Sequence, residues 1–178
     1  MGTRRLSIQD LKNIVEPEKK LYVVDLDGRD HDELNLELLQ ELSSDYILWV
    51  DNGLRNIDDV MDTLITGATA ITIQHDLWSH PDVSSIKEIS DDEIYIALDL
   101  THEKVQDMDL SIYYGVNGVV VLNTKEQLEA DSKAAKLLEE LRKTHKLYAF
   151  EKKPENHSYW ETAGISGLFV DIDVLKEF

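Results

Sequence analysis

One pattern recurs three times and constrains the fold more than any other feature of the chain. Gly67-Ala-Thr-Ala-Ile-Thr-Ile, Gly115-Val-Asn-Gly-Val-Val-Val and Gly164-Ile-Ser-Gly-Leu-Phe-Val each join a helix-ending glycine to a small residue and then an apolar run. The intervals are 48 and 49 residues, room for two strand-helix units of about 24 residues each. Further short runs rich in β-branched and aromatic residues fill the spaces between the echoes. The expected strands are Leu21–Leu26, Tyr46–Val50, Ala70–Ile73, Glu93–Leu98, Gly118–Leu122, Lys146–Phe150 and Gly167–Val170. Helical periodicity separates them at Leu34–Leu42, Asp58–Ile65 and Lys125–Lys143, and precedes them at Ser7–Val15, where Ser7 is an N-cap and Pro17 a stop.

Strands alternating with helices demand a parallel sheet with right-handed crossovers, and continuously apolar strands suit a sheet covered on both faces. Equal units with no low-complexity linker favour a single α/β domain over residues 1–178, a (β/α) TIM-type barrel of about seven parallel strands. Functional groups are then expected just after each strand, on the carboxyl-end face.

Charge narrows the partners. The 178 residues hold 18 Lys plus Arg against 36 Asp plus Glu, a net charge of -18. Such a surface repels phosphate backbones and anionic membranes, so neither nucleic acid nor a membrane is expected as a partner. There is no cysteine, hence no disulfide framework or thiol nucleophile, and no apolar stretch approaches the roughly 20 residues of a membrane span. A cytoplasmic protein is expected.

Several of these segments resemble the histidine-biosynthesis (β/α) barrels, the ProFAR isomerase and the cyclase subunit of imidazole glycerol phosphate synthase. Leu21-Tyr-Val-Val-Asp-Leu-Asp-Gly28 is similar to their second strand, and Asp51-Asn-Gly-Leu-Arg55 to their third-strand Gly-Gly-Gly-Ile-Arg turn. Gly67 to Ile73 resembles the fourth strand, Ile96-Ala-Leu-Asp-Leu the fifth, and Gly164 to Asp171 the eighth. In that register the first family strand is missing and the last helix is a stub, Val174 to Phe178. The resemblance implies an isomerisation run by two aspartates, at the ends of the first and fifth strands. Asp99 matches the fifth-strand position, and the other aspartate has no counterpart. The family's phosphate-binding glycines are also replaced, by Asp51-Asn52, Gln74-His75, Lys152-Lys153-Pro154-Glu155 and Asp171. A carboxylate about 4 Å from a phosphate charge costs roughly 4 kcal/mol at an effective dielectric near 20, so tight binding of a bisphosphorylated ribotide is not expected.

The candidate site therefore consists of Asp99 as general acid or base, with Asp25, Asp27, Asp51, Asn52, Arg55, His102 and Asp171 as substrate-binding residues. Asp99 is expected within hydrogen-bond reach of another polar strand-end residue, with Asp25 or Asp27 the nearest candidates. Carboxylates crowded on one face raise one another's pKa unless a cation intervenes, so a divalent metal is a second expectation. Its candidate ligands are Asp25, Asp51, His75, Asp76, Asp99 and Asp171, an oxygen-rich set suited to Mg²⁺, Mn²⁺ or Ca²⁺ and, through histidine, to Zn²⁺ or Ni²⁺. Strand-terminal aspartates also cap helices, and Asp25, Asp27 and Asp76 can all do so. Two functions remain open. One is a divergent family member without efficient isomerase activity, a binding or assembly module. The other is an isomerase-type or metal-assisted enzyme acting on a small sugar-like substrate through Asp99. A sheet lacking its first strand leaves Leu21–Leu26 and Gly167–Val170 as apolar edges, so a homodimer is expected, with Leu175 and Phe178 as spare anchors.

Overall fold

The structure is a computed structural model that describes residues 7–173. The expected stub Val174 to Phe178, with its anchors Leu175 and Phe178, lies outside the described residues. Seven strands form one sheet in the order of the chain, β1 (Lys20–Val24), β2 (Ile47–Asp51), β3 (Ala70–Gln74), β4 (Glu93–Leu98), β5 (Gly118–Val121), β6 (Leu147–Glu151) and β7 (Gly167–Val170). The registered pairs are parallel. By contacts the chain divides into two compact units, residues 1–71 and 72–178.

The first unit holds α1 (Ile8–Ile14), α2 (Leu26–His31), α3 (Leu36–Ser43) and α4 (Ile57–Ile65). Ser7 caps α1 as expected, within a capping box closed by Asp10. Leu39, Leu42, Tyr46, Leu48, Val50 and Ala68 form the buried core, with Ile8, Leu11, Val15, Leu21 and Val23 packed against it. Alternation along the strands turns Tyr22 and Trp49 to the other face, where their rings meet edge to face at 5.3 Å. Strand β1 ends at Val24, two residues earlier than its apolar run suggests. The Asp25 carboxylate accepts from Gly28 N, which turns Leu26 into the first residue of α2.

The second unit holds α5 (Val83–Ile89), α6 (Glu103–Gln106), α7 (Lys125–Ala130), α8 (Ser132–Leu141) and α9 (His157–Ala163). The single helix expected over Lys125–Lys143 is two helices. Asp131 adopts an extended backbone and its carboxylate accepts from Lys133 N and Ala134 N, capping α8 where α7 stops. The repeated motif now has a physical meaning. Its leading glycines, Gly67, Gly115 and Gly164, all have positive φ and turn the chain toward the next strand. The inner ones, Gly118 and Gly167, leave space for rings, since a Cβ at either would lie 3.0 to 3.2 Å from Tyr148. In that space Tyr95 meets Tyr148 edge to face at 5.4 Å, and Tyr148 stacks with Phe169 at 6.0 Å.

Candidate functional site at the strand ends

In the first unit the expected site residues are committed to the protein's own loops. Asp25 is buried, with Oδ1 accepting from Gly28 N at 3.2 Å and Asn35 Nδ2 at 2.7 Å, and Oδ2 from Asn35 N at 2.8 Å. Asp27 is exposed, 3.4 Å from Asn35 Nδ2 and 3.9 Å from His31 Nδ1. Asp51 is buried and accepts from the Tyr22 hydroxyl at 3.0 Å. Asn52 is fully buried and donates to Thr63 Oγ1 at 2.7 Å. Arg55 bonds the carbonyls of Gly28, Arg29 and Gly53 at 3.1, 2.9 and 2.6 Å and the Asp32 carboxylate at 2.8 Å. Its cation thus covers the carboxyl end of α2, where the helix dipole favours positive charge.

In the second unit Asp99 follows β4 and is half-buried. Its Oδ1 accepts three hydrogen bonds, from Thr101 N at 2.9 Å, Thr101 Oγ1 at 2.6 Å and Asn123 Nδ2 at 2.6 Å. Asn123 is oriented in turn by Leu100 N, which donates to its Oδ1 at 2.7 Å. Asp99 is thus held by Thr101 and by Asn123, itself a polar strand-end residue. Burial alone would raise the Asp99 pKa, but the hydrogen bonds from Thr101 and Asn123 and the proximity of His102 bring it below the ordinary 3.8. The group is an anion with one saturated oxygen and a second, Oδ2, that accepts from no described residue.

Around Asp99 the expected residues scatter. His102 caps α6, its Nδ1 accepting from Lys104 N at 3.3 Å. His75 is buried, and its Nδ1 hydrogen-bonds the hydroxyl of fully buried Tyr113. Burial holds its pKa below 6.5. Asp76 is exposed. Asp171 is exposed, accepts from Asp173 N at 3.1 Å and faces Lys152 Nζ at 3.9 Å. Among the described residues, no three His, Asp or Glu side chains are placed to hold a metal ion.

Glu151 reads from sequence as one more strand-end carboxylate without a role. It ends β6 on the helix-facing side and is buried, and all four of its partners are donors. Oε1 accepts from Lys152 N at 2.8 Å and Lys153 N at 2.9 Å, and Oε2 from Asn156 Nδ2 at 3.1 Å and Trp160 Nε1 at 2.7 Å. These two amides open the loop of residues 152–155. An internal carboxylate occupies them. The same device recurs with Asp25, Asp99 and Asp171 on the amides that follow their own strands. The acidic residue at each strand end carried the signal, read from sequence as a surplus of ligands rather than as loop anchors.

One further feature emerges from the register. At the ends of β6 and β7, Phe150 pairs with Phe169. Their rings lie 5.0 Å apart on the face opposite Glu151.

The histidine biosynthesis protein family profile matches residues 14–146. The chain belongs to that family. No curated protein matches it. Among solved structures it is similar to the phosphoribosyl anthranilate isomerase from Thermococcus kodakaraensis, at 15% identity and a TM-score of 0.64 over 88% of each chain. At that identity the likeness concerns the fold, and it places this family member among the (β/α) TIM-type barrels. No helix among its described residues is long and apolar enough to cross a membrane.

Proposed function

We propose that this family member is a binding or assembly module of the cytoplasm without efficient isomerase activity. The observation that carries the reading is Glu151, whose carboxylate takes the backbone amides of Lys152 and Lys153. Amides in such a loop bind a phosphate only when free to donate. Displacing a buried carboxylate that also holds Asn156 and Trp160 leaves several donors unsatisfied, each costing about 1 to 3 kcal/mol. Asp51 and Asp171 add negative charge at two more of the family's phosphate positions. The test is turnover of the ProFAR substrate by the purified protein. A rate below about 0.001 per second is expected, and about 1 per second or more, the ordinary range of enzymes, would overturn the reading.

A second reading is favoured by the open Oδ2 of Asp99. A half-buried carboxylate with one oxygen fixed and one free is suited to act as general base on a small uncharged sugar-like substrate. Its signature is a rate that follows ionisation of one acid and vanishes in Asp99→Asn. We also propose that two copies of the chain associate, supported by the mostly apolar strands β1 and β7 that stand at the two ends of the sheet order. Light scattering at low micromolar concentration tests this, and a stable monomer near 20 kDa would remove it.

A further inference from the structure

We propose that the outer flank of α4 is a docking surface for a basic amphipathic helix of a partner protein, one that sets an apolar stripe against Met61 and Ile65 and two cations against Asp58 and Asp62. The inference rests on the binding-module reading and names the kind of partner bound.

The helix carries a wider apolar arc than the fold covers. At about 100° per residue, Val60, Leu64, Ile57, Met61 and Ile65 follow one another round α4 over about 140°. Burial falls away along that arc. Val60 is fully buried, Leu64 and Ile57 are half-buried, Met61 is 46% exposed and Ile65 77%. A helix that served only to cover its sheet would turn polar at Met61 and Ile65, since an arc of roughly 100° suffices for one buried face. Here two large apolar side chains one turn apart stand in solvent, continuous with Ile57 and Leu64. They form a stripe, unlike the single exposed apolar residues common on any surface.

Charge decides the occupant. Asp58 and Asp62 border the stripe just beyond Ile65, one turn apart and both exposed, and neither carboxylate pairs with a described residue. Asp59 lies elsewhere on the helix and accepts from Arg55 N at 2.8 Å. The last turn of α4 holds no basic residue. A second copy is therefore a poor occupant, because α4 against α4 brings these carboxylates together and like charges at an interface repel. A wholly apolar helix leaves both carboxylates at the rim without cations. A helix with Lys or Arg at i and i+4 along one edge of its apolar stripe meets every group on the flank. The nine residues of α4 extend about 14 Å at 1.5 Å each, so about three turns of a partner helix run its length. A net charge of -18 speeds the approach of a basic partner.

The probe is an amphipathic peptide of about 18 residues built from leucine and lysine, long enough to hold a helix. It is titrated into the ¹⁵N-labelled full chain and followed by amide shifts, with a counterpart carrying glutamate for lysine as control. Saturable shifts centred on residues 57–65 are expected, with the glutamate peptide weaker by about tenfold or more. Ile65→Ser should weaken the lysine peptide by about tenfold, and the double change Asp58→Asn and Asp62→Asn should do the same. Unchanged far-UV circular dichroism shows that these variants remain folded. No saturable shifts up to about 1 mM peptide, shifts spread over the acidic surface without a centre on α4, or full affinity in Ile65→Ser would each overturn the site. Shifts of the same amides that grow with protein concentration and need no peptide would assign the face to a second copy and overturn the proposed partner. None of these outcomes bears on ProFAR turnover, so the docking surface and the reading beneath it fail separately.

Discussion

At the scale of single residues, the chain uses carboxylates as internal anions. Glu151 shows why an amide would not serve. All four of its partners donate, so in Glu151→Gln the new NH₂ must point at donors whichever way it turns. A loss of about 2 to 3 kcal/mol in urea unfolding is expected for that isosteric change. A change within about 0.5 kcal/mol would show that the loop amides do not depend on the carboxylate. The same groups set the acid response. Burial lowers the His75 pKa from 6.5, so the unfolded chain binds the proton more readily. The stability from neutral His75 is complete above about pH 6.5 and lost as pH falls through its depressed folded value. Burial acts to raise the Glu151 pKa, but hydrogen bonds from Trp160, Asn156 and the loop amides bring it below 4.5. Its contribution is complete above about pH 4.5 and lost below it. Unfolding free energies measured from pH 7.5 to 3.5 should therefore fall in two steps, and His75→Gln should remove only the upper one. A single step shared by both proteins would refute the assignment.

At the scale of elements, backbone geometry makes separable demands. Gly53 has φ of +77°, and a Cβ there would stand 2.4 Å from Arg29 Cα, so strain and a clash with immovable backbone combine. Gly115 has φ of +93°, but its Cβ would meet only Val83 Cγ1 at 3.9 Å. Gly115→Ala should then cost about 1 to 2 kcal/mol, the price of the left-handed conformation alone, whereas Gly53→Ala should cost about 3 kcal/mol or more. Thermal unfolding of the pair checks the order, and equal losses would contradict it. The elements were largely legible in the sequence because their signals are local. Glu93–Leu98 and Gly167–Val170 are strands with the expected bounds, and Ser7 caps α1 as read. The failures had local causes as well. Asp131 splits a helical pattern by capping its second half, and Asp25 ends β1 by starting α2, effects of one hydrogen-bonding side chain that periodicity does not register.

For the whole molecule, the fold was legible and the site only in part. Gly67, Gly115 and Gly164 announced the repeat, and the alternation they punctuate is what a (β/α) barrel requires. The position of Asp99 at a strand end was likewise readable. A polar strand-end neighbour such as Asn123 was readable too, but which one binds Asp99, and the part of Thr101, were not, because a turn and strand register bring them together. The Phe150–Phe169 pair was hidden because apolar residues read as core until register and exposure are known. The central claim is that carboxylates stand where this family's substrate would place phosphates. Isothermal titration of the unmodified protein with the bisphosphorylated ProFAR substrate tests it most directly. No binding tighter than about 1 mM is expected, whereas a dissociation constant in the micromolar range, worth about 8 kcal/mol, would show that the strand-end amides remain open to a phosphate and would contradict the account.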